Sequence, residues 1–348
     1  MNSGKPKRER DETRLLVVDP AQRALEATGI TALARFLRRG DVLVLNDAAT
    51  LPASLFATTE RGDAIELRLL GPPHHGLFDA VLFGAGDHRT GTEQRPPPPE
   101  LALGDTLRVG PRLSARIEAR SALSARLIAL RFDREDQALW LELYAHGSPV
   151  QYAHQPEPLA LWSVQTIYAA RPWAAEMPSA GRPLSFATLR DLKRRGISIA
   201  TLTHAAGLSS TGDPAIDRAL PLPERYEIPS ETVQAIAQAR TRSGRVIAVG
   251  TSVVRALESA ALRRHPLQAG EAISTLRIEA GFARKIVDGL LTGIHAPGES
   301  HYDLLSAFVD ADLLRASHDE ARRLGFASHE FGDSCLILPH AIADRLAA

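Results

Sequence analysis

The stretch RVIAVGTSVVRALESA, residues 245–260, decides the fold, because an apolar strand runs through a glycine turn straight into a helix. Val246, Ile247, Ala248 and Val249 are the short, largely β-branched run of a buried strand. Val253, Val254, Leu257, Ala260 and Ala261 then recur at helical spacing. The turn Gly250-Thr251-Ser252 therefore sits where a sheet ends and a helix begins. Gly250 permits an unusual dihedral or a close backbone approach, Thr251 or Ser252 can cap the helix, and the free N–H groups of the first turn attract a carboxylate or another anion. Arg255 and Glu258, three apart, are expected on the helix's polar face. An ordinary capped helix with a surface ion pair has the same spacing, so spacing alone leaves the chemistry of this turn open.

Outward from this segment, strands alternate with helices. Thr31 to Arg38, Arg134 to Ala145, Phe186 to Arg195, Glu231 to Arg242 and His318 to Leu324 read as helices. Val42 to Leu45, Ile197 to Leu202 and Val246 to Val249 read as strands, an order that implies an α/β domain. From Ala57 to about Arg131 the texture changes to short alternating segments such as AIELRLL, DAVLFG and ARLIALRF, separated by Gly, Pro and His, which predicts a small antiparallel β-barrel. The expected organisation is an α/β main domain, residues 1–56 and 132–348, with an inserted barrel domain at 57–131. Arg95 to Glu100, with four consecutive prolines, is expected as an exposed extended loop.

A chain of 348 residues with 44% hydrophobic content can build two cores. No run approaches the roughly 18 apolar residues of a membrane span, and MNSGKPKRERDETR lacks a signal-peptide apolar region, so a soluble cytoplasmic protein is expected. The single cysteine, Cys335, excludes an internal disulfide and a cysteine-cluster metal site; within CLILP it reads as a buried structural thiol. Lysine plus arginine equals aspartate plus glutamate at 41 each, which argues against a large nucleic-acid footprint. The local basic clusters, Lys5/Lys7/Arg8/Arg10, Arg38/Arg39, Lys193 to Arg195 and Arg263/Arg264, read mainly as solvated surface.

Beyond residues 245–260, GDVLVLNDAATLPASLF (40–56), FDREDQALW (132–140), QTIYA (165–169), PSAG (178–181), VDGLLTGIHAPGES (287–300), LLSAF (304–308) and GDSCLI (332–337) follow in order along the chain. Through these collinear segments it closely resembles the S-adenosylmethionine:tRNA ribosyltransferase-isomerases of queuosine biosynthesis. The resemblance implies the same two-part architecture, with the active site in the cleft between domains. It also implies that the ribosyl portion of S-adenosylmethionine, a co-substrate, is attached to 7-aminomethyl-7-deazaguanine in tRNA. Adenine and methionine leave and the ribose becomes an epoxycyclopentane. The implied partner is the tRNA anticodon region, and a monomer without metal or membrane is expected.

Such chemistry needs a base beside the sulfonium, a holder for the zwitterionic methionine end and room for leaving adenine. His295 follows the apolar run LLTGI and precedes Ala-Pro-Gly, and the family carries histidine there; it is the leading proton carrier, with a structural loop histidine as the bland alternative. His204, in TLTHAAG, resembles a family histidine displaced by one residue and is the second catalytic candidate. Gln165, Thr166 and Tyr168 supply amide, hydroxyl and aromatic groups for the cofactor, and the PSAG turn ending at Gly181 lets backbone approach a ligand. Gly250, Thr251 and Arg255 would serve its carboxylate or ribose, and Asp333 an ammonium or hydroxyls. Asn46 and Asp47, at a strand end, would orient the sugar; an Asx turn explains them equally well.

The chain departs from the family pattern at several of its polar positions. Ala49 and Ser54 stand where arginines belong, Ser185 replaces a histidine after a two-residue insertion at Arg182 and Pro183, and RALPLPER replaces a histidine-containing stretch. Gly293-Ile294 and Gly298-Glu299 also differ from the pattern. Arginine is the preferred clamp for phosphate and carboxylate. A divergent paralogue with a small-molecule acceptor or lyase activity, and a silent binding protein on the same scaffold, therefore stand beside the leading reading. An ordinary methyltransferase does not fit, since no glycine-rich loop follows an early strand.

Overall fold

The computed structural model describes residues 9–342, so Lys5, Lys7 and Arg8 of the first basic cluster lie outside the described residues. The larger part is a nine-stranded sheet. From edge to edge its strands are Gly270–Ser274, Glu224–Ile228, Ser198–His204, Val42–Asn46, Val246–Val249, Gly289–Gly293, Ser334–Ile337, Arg14–Asp19 and Ala24–Gly29. The four strands ending at His204, Asn46, Val249 and Gly293 are mutually parallel.

Buried on both faces, Val42 to Leu45 and Val246 to Val249 are continuous apolar runs rather than alternating ones. Leu43, Leu45, Ile247, Val249 and Leu291 face one layer, which holds the 3-10 helix Ile30–Arg35 and helix Phe186–Arg194. Val42, Val44, Val246 and Ala248 face the other, built from helices Ser230–Thr241, Thr251–Arg263 and Ala311–Arg323. The expected helix at Thr31 to Arg38 is thus a shorter 3-10 turn. The Asp41 carboxylate takes the Arg38 N–H at 3.0 Å and draws the chain out of helical register before the strand begins. The last helix starts at Ala311, earlier than the expected His318, because Asp310 caps it through the N–H groups of Asp312 and Leu313.

The smaller part is a closed antiparallel barrel of Leu127–Phe132, Phe78–Phe83, Ala64–Leu69, Ser54–Thr59, Thr106–Arg108 and Ser114–Arg120. Its strands begin at Ser54 and end at Phe132, beside the expected bounds of 57 and 131. Its core also takes Leu139 and Leu143 from helix Asp136–His146, and Ile216. Inside lies a buried Glu66 carboxylate, 2.7 Å from Arg68 Nε, 2.6 Å from Arg95 Nη1 and accepting from the Ser54 hydroxyl at 2.7 Å. Arg95 is therefore buried, unlike the loop expected there; the prolines that follow are exposed or half-exposed. Arg38, Arg39, Lys193 to Arg195, Arg263 and Arg264 are exposed. Among the described residues no helix is long and apolar enough to cross a membrane.

Candidate active site

The carboxyl ends of the four parallel strands open on one side of the sheet, where ligands of open α/β folds gather at the point of strand-order reversal. Val42–Asn46 is central there, flanked by Ser198–His204 and Val246–Val249. Its last residue fastens the neighbours: Asn46 Oδ1 accepts the N–H groups of His204 (2.9 Å) and Ala48 (3.1 Å), while Nδ2 donates to the His204 carbonyl (3.0 Å) and Ser252 Oγ (3.4 Å). The bond to Ala48 is the Asx turn. With its amide committed to protein groups, Asn46 positions strand ends. Asp47, half-buried, accepts from Thr203 Oγ1 at 2.6 Å.

Gly250 is the N-cap of helix Thr251–Arg263 with φ at +96°, a conformation that would strain any other residue. Neither Thr251 nor Ser252 caps the helix with its side chain. The expected polar face is also corrected, since Arg255 and Glu258 are both buried and do not pair with each other. Glu258 accepts the backbone N–H groups of Lys285, Ile286 and Val287 at 2.8–3.0 Å. Arg255 bonds Glu224 through Nη1 and the Leu276 carbonyl through Nε at 3.0 Å, leaving Nη2 buried without a protein partner. This helix is packed on nearly every side, so its charges serve buried contacts rather than solvent.

His204 is fully buried, with Nε2 3.4 Å from the Glu224 carboxylate and neither ring nitrogen hydrogen-bonded. Burial pulls its pKa down to about 4, against the opposing charge of Glu224, so the ring is neutral at neutral pH. His295 is better placed for proton exchange: Nε2 lies 2.9 Å from Thr292 Oγ1, Nδ1 is 3.5 Å from Glu299 Oε2, and the side chain keeps 19% exposure. The hydrogen bond from His295 holds the Glu299 carboxyl below its usual range. His301 stacks on His295 with centroids 5.1 Å apart, and burial, aided by the His295 charge, pulls it down to about 4.

Of the cofactor candidates, Gln165 has no free amide edge. Its Oε1 accepts the Thr50 N–H and its Nε2 donates to the Thr50 carbonyl, both at 2.9 Å, so it clamps backbone rather than offering that edge to a base. Thr166 and Tyr168 differ, because both hydroxyls are buried without a partner, and burial raises the Tyr168 hydroxyl above its ordinary pKa. Gly181 ends the PSAG turn, and a Cβ there would overlap the Tyr168 hydroxyl. The neighbouring Ala180 methyl would lie 3.5 Å from a Cβ at Gly250, which brings the two glycine turns together. Asp333 is spent elsewhere: it accepts from the Arg14 N–H and side chain and from the Ala327 N–H, each at 2.8 Å, and so ties two strands at their starts. Cys335 is buried with its thiol pushed up to about 12, as a structural thiol should be.

Glu224 and His301 join these candidates without having been singled out in the sequence, and Glu299 stood there only as a departure from the family pattern. Glu224 sits within RALPLPER, where spacing carries no periodic signal, and its partners Gly207, His204 and Arg255 come from segments 17 or more residues away. A second cleft nearby is lined by Thr50, Tyr152, His154, Glu176, Glu330 and Phe331, among others. It too was not legible in the sequence.

The fold is thus an α/β sheet with an inserted barrel that carries a polar cluster of His204, His295 and His301 at its strand ends, and relatives with this sequence pattern carry transferase/isomerase names. The chain belongs to the queuosine biosynthesis protein family, whose model matches residues 1–337. A protein of Trichlorobacter lovleyi named S-adenosylmethionine:tRNA ribosyltransferase-isomerase is 32% identical over 96% of this chain and 95% of its own. One of that name from Gloeobacter violaceus is 35% identical over 97% and 92%. The crystal structure of S-adenosylmethionine tRNA ribosyltransferase from Thermotoga maritima matches with a TM-score of 0.52 at 25% identity, covering 97% of this chain and 96% of that one.

Proposed function

We propose that this chain transfers and isomerises the ribosyl portion of S-adenosylmethionine onto 7-aminomethyl-7-deazaguanine in the anticodon region of a tRNA, giving epoxyqueuosine and releasing adenine and methionine, in the cytoplasm. The observation that carries this reading is a set of buried polar atoms without hydrogen-bond partners near the strand ends: both ring nitrogens of His204, Arg255 Nη2 and the hydroxyls of Thr166 and Tyr168. Buried polar groups are otherwise nearly always paired, so such a set fits a site built for a polar ligand.

In this reading His295 is the base. With Nδ1 carrying its proton toward Glu299, Nε2 is the basic nitrogen, held by the Thr292 hydroxyl until a substrate C–H takes that place. A neutral His301 against its face adds no repelling charge as His295 becomes protonated. His204 is a neutral partner for a developing hydroxyl or carbonyl. Arg255 and the helix N-terminus at Gly250 and Thr251 receive the methionine carboxylate, while Thr166, Tyr168 and the backbone at Gly181 line the nucleoside. Asp47 faces the sugar; Gln165, Asn46 and Asp333 hold these elements in place. Segments 1–56 and 132–348 form the α/β unit in this reading and 57–131 the barrel unit.

The small-molecule paralogue remains a second reading because of one observation. Ser54, where an arginine belongs, lies inside the barrel on Glu66 and presents nothing to a phosphate. Incubating the pure protein with S-adenosylmethionine, with and without tRNA bearing the deazaguanine, separates the two. Adenine released only with that tRNA supports the first; release without it supports the second. His295→Ala should abolish turnover and leave cofactor affinity within about threefold, and an undiminished rate would remove His295 from the mechanism.

A further inference from the structure

The second cleft contains a carboxyl group that none of the chemistry above uses. Glu176 lies two residues before the PSAG turn, half-buried at the cleft wall. Its Oε1 takes every protein donor: the Tyr152 hydroxyl, the Ser209 N–H at 2.8 Å and Ser209 Oγ at 3.2 Å. Oε2 makes no hydrogen bond among the described residues and is left to the cleft. The opposite carboxyl, Glu330, is held as a carboxylate by His154, 2.5 Å away. Leu159, Val164, Met177 and Phe331 form the apolar wall, a surface suited to the face of a heteroaromatic ring.

We propose that Glu176 donates from Oε2 to a ring nitrogen of a purine seated in this cleft, and that during turnover it delivers that proton to the leaving adenine of S-adenosylmethionine. The inference rests on the reaction proposed above and adds its acid. Because Oε1 is saturated with donors, a proton on this carboxyl resides on Oε2. As the C1′–N9 bond breaks, its electron pair stays on the purine and the proton moves from Oε2 to a ring nitrogen. Glu176 is left a carboxylate, to be recharged from solvent. The deficit at the sugar is met by the electron pair freed when His295 removes its proton. Burial, with the Glu330 charge adding, raises the Glu176 pKa to about 7, so the acid form is available at neutral pH. The other titratable or charged groups facing it are Tyr152, Arg68 and His154; His154 is itself held toward its charged form by Glu330. Two carboxyls driven apart in this way are the arrangement that assigns an acid and a spectator.

The test is calorimetry of free adenine with the full chain, wild type and Glu176→Gln, at about pH 5.5 and about pH 8.5, beside the adenine-release assay. Wild-type affinity should fall at least about tenfold at the higher pH, as Oε2 loses its proton. Glu176→Gln, whose amide can still donate but cannot titrate, should bind adenine equally at both. It should also release adenine from S-adenosylmethionine about a hundredfold more slowly. Wild-type affinity that is flat, absent or rising with pH overturns the assignment; a rise is what a guanine-like N–H edge on a carboxylate would give. Undiminished release by Glu176→Gln overturns it while leaving the reaction standing. If wild type never releases adenine yet binds it with the stated pH dependence, the reaction falls and the purine site stands.

Discussion

Replacing Gly181 with alanine tests the contact that seats Tyr168. An added Cβ would overlap the Tyr168 hydroxyl, lie 3.0 Å from its Cζ and reach ordinary contact with Thr166 Cγ2 at 3.5 Å. Gly181 sits in a buried 3-10 turn with its N–H on the Pro178 carbonyl, so the backbone has little room to withdraw. One of the two must move, and overpacking of this kind costs about 1–3 kcal/mol. The melting temperature should drop by roughly 2–4 °C per kcal/mol. Tyr168→Phe removes an unpartnered buried hydroxyl, so by itself it should be neutral or stabilising by up to about 1 kcal/mol. In the double variant most of the alanine penalty should disappear, a coupling of about 1–2 kcal/mol in a double-mutant cycle. Thermal melts of the four proteins give the cycle directly. A Gly181→Ala protein as stable as wild type, or a penalty unchanged when Tyr168→Phe is also present, would refute the argument that the hydroxyl and this glycine share one space.

Glu258→Ala strips three backbone N–H groups of their acceptor in a fully buried place and should cost at least about 3 kcal/mol, read from chemical denaturation. Asp333→Asn should cost about 1–3 kcal/mol through the Arg14 clamp yet leave S-adenosylmethionine affinity within a few-fold in calorimetry. A large loss of affinity would return Asp333 to the ligand. For His204 the sign follows from a folded pKa of about 4 below the ordinary 6.5. The unfolded chain takes up its proton first as pH falls, so stability is lost between about 6.5 and about 4 and is level below that. The loss amounts to about 3 kcal/mol, and His204→Gln should reduce it in melts across that window.

The scaffold was legible where periodicity is strong and burial two-sided. Val246 to Val249 was plain as an unbroken apolar run and the helix after Gly250 through its apolar residues at helical spacing, and the barrel announced itself through short segments broken by Gly and Pro. Segment ends were set by side chains that spacing does not register, such as Asp41 turning the chain after Arg38 and Asp310 starting a helix before His318. The candidate residues divided along the same line. The position of His295 after an apolar strand was readable, whereas Gln165 and Asp333 looked free because the groups that occupy them, Thr50 and Arg14, are 115 and 319 residues away. Arg255 and Glu258 resembled a surface pair because helical spacing counts neighbours on one helix and ignores what is packed over it. Glu176 carried no periodic or motif signal, since its character comes from Tyr152, Ser209 and Glu330 meeting across a cleft.

Strand Ser334–Ile337 joins the hairpin Arg14–Gly29 to the rest of the sheet, for the hairpin has no other strand neighbour. During synthesis the hairpin must therefore wait, with one edge open, while the ribosome makes some three hundred further residues, and the barrel, whose strands all lie between Ser54 and Phe132, can close in the meantime. Nascent chains stalled before Ser334 should carry a protease-resistant barrel beside a digestible first hairpin. Release of that last strand is the event that completes the sheet.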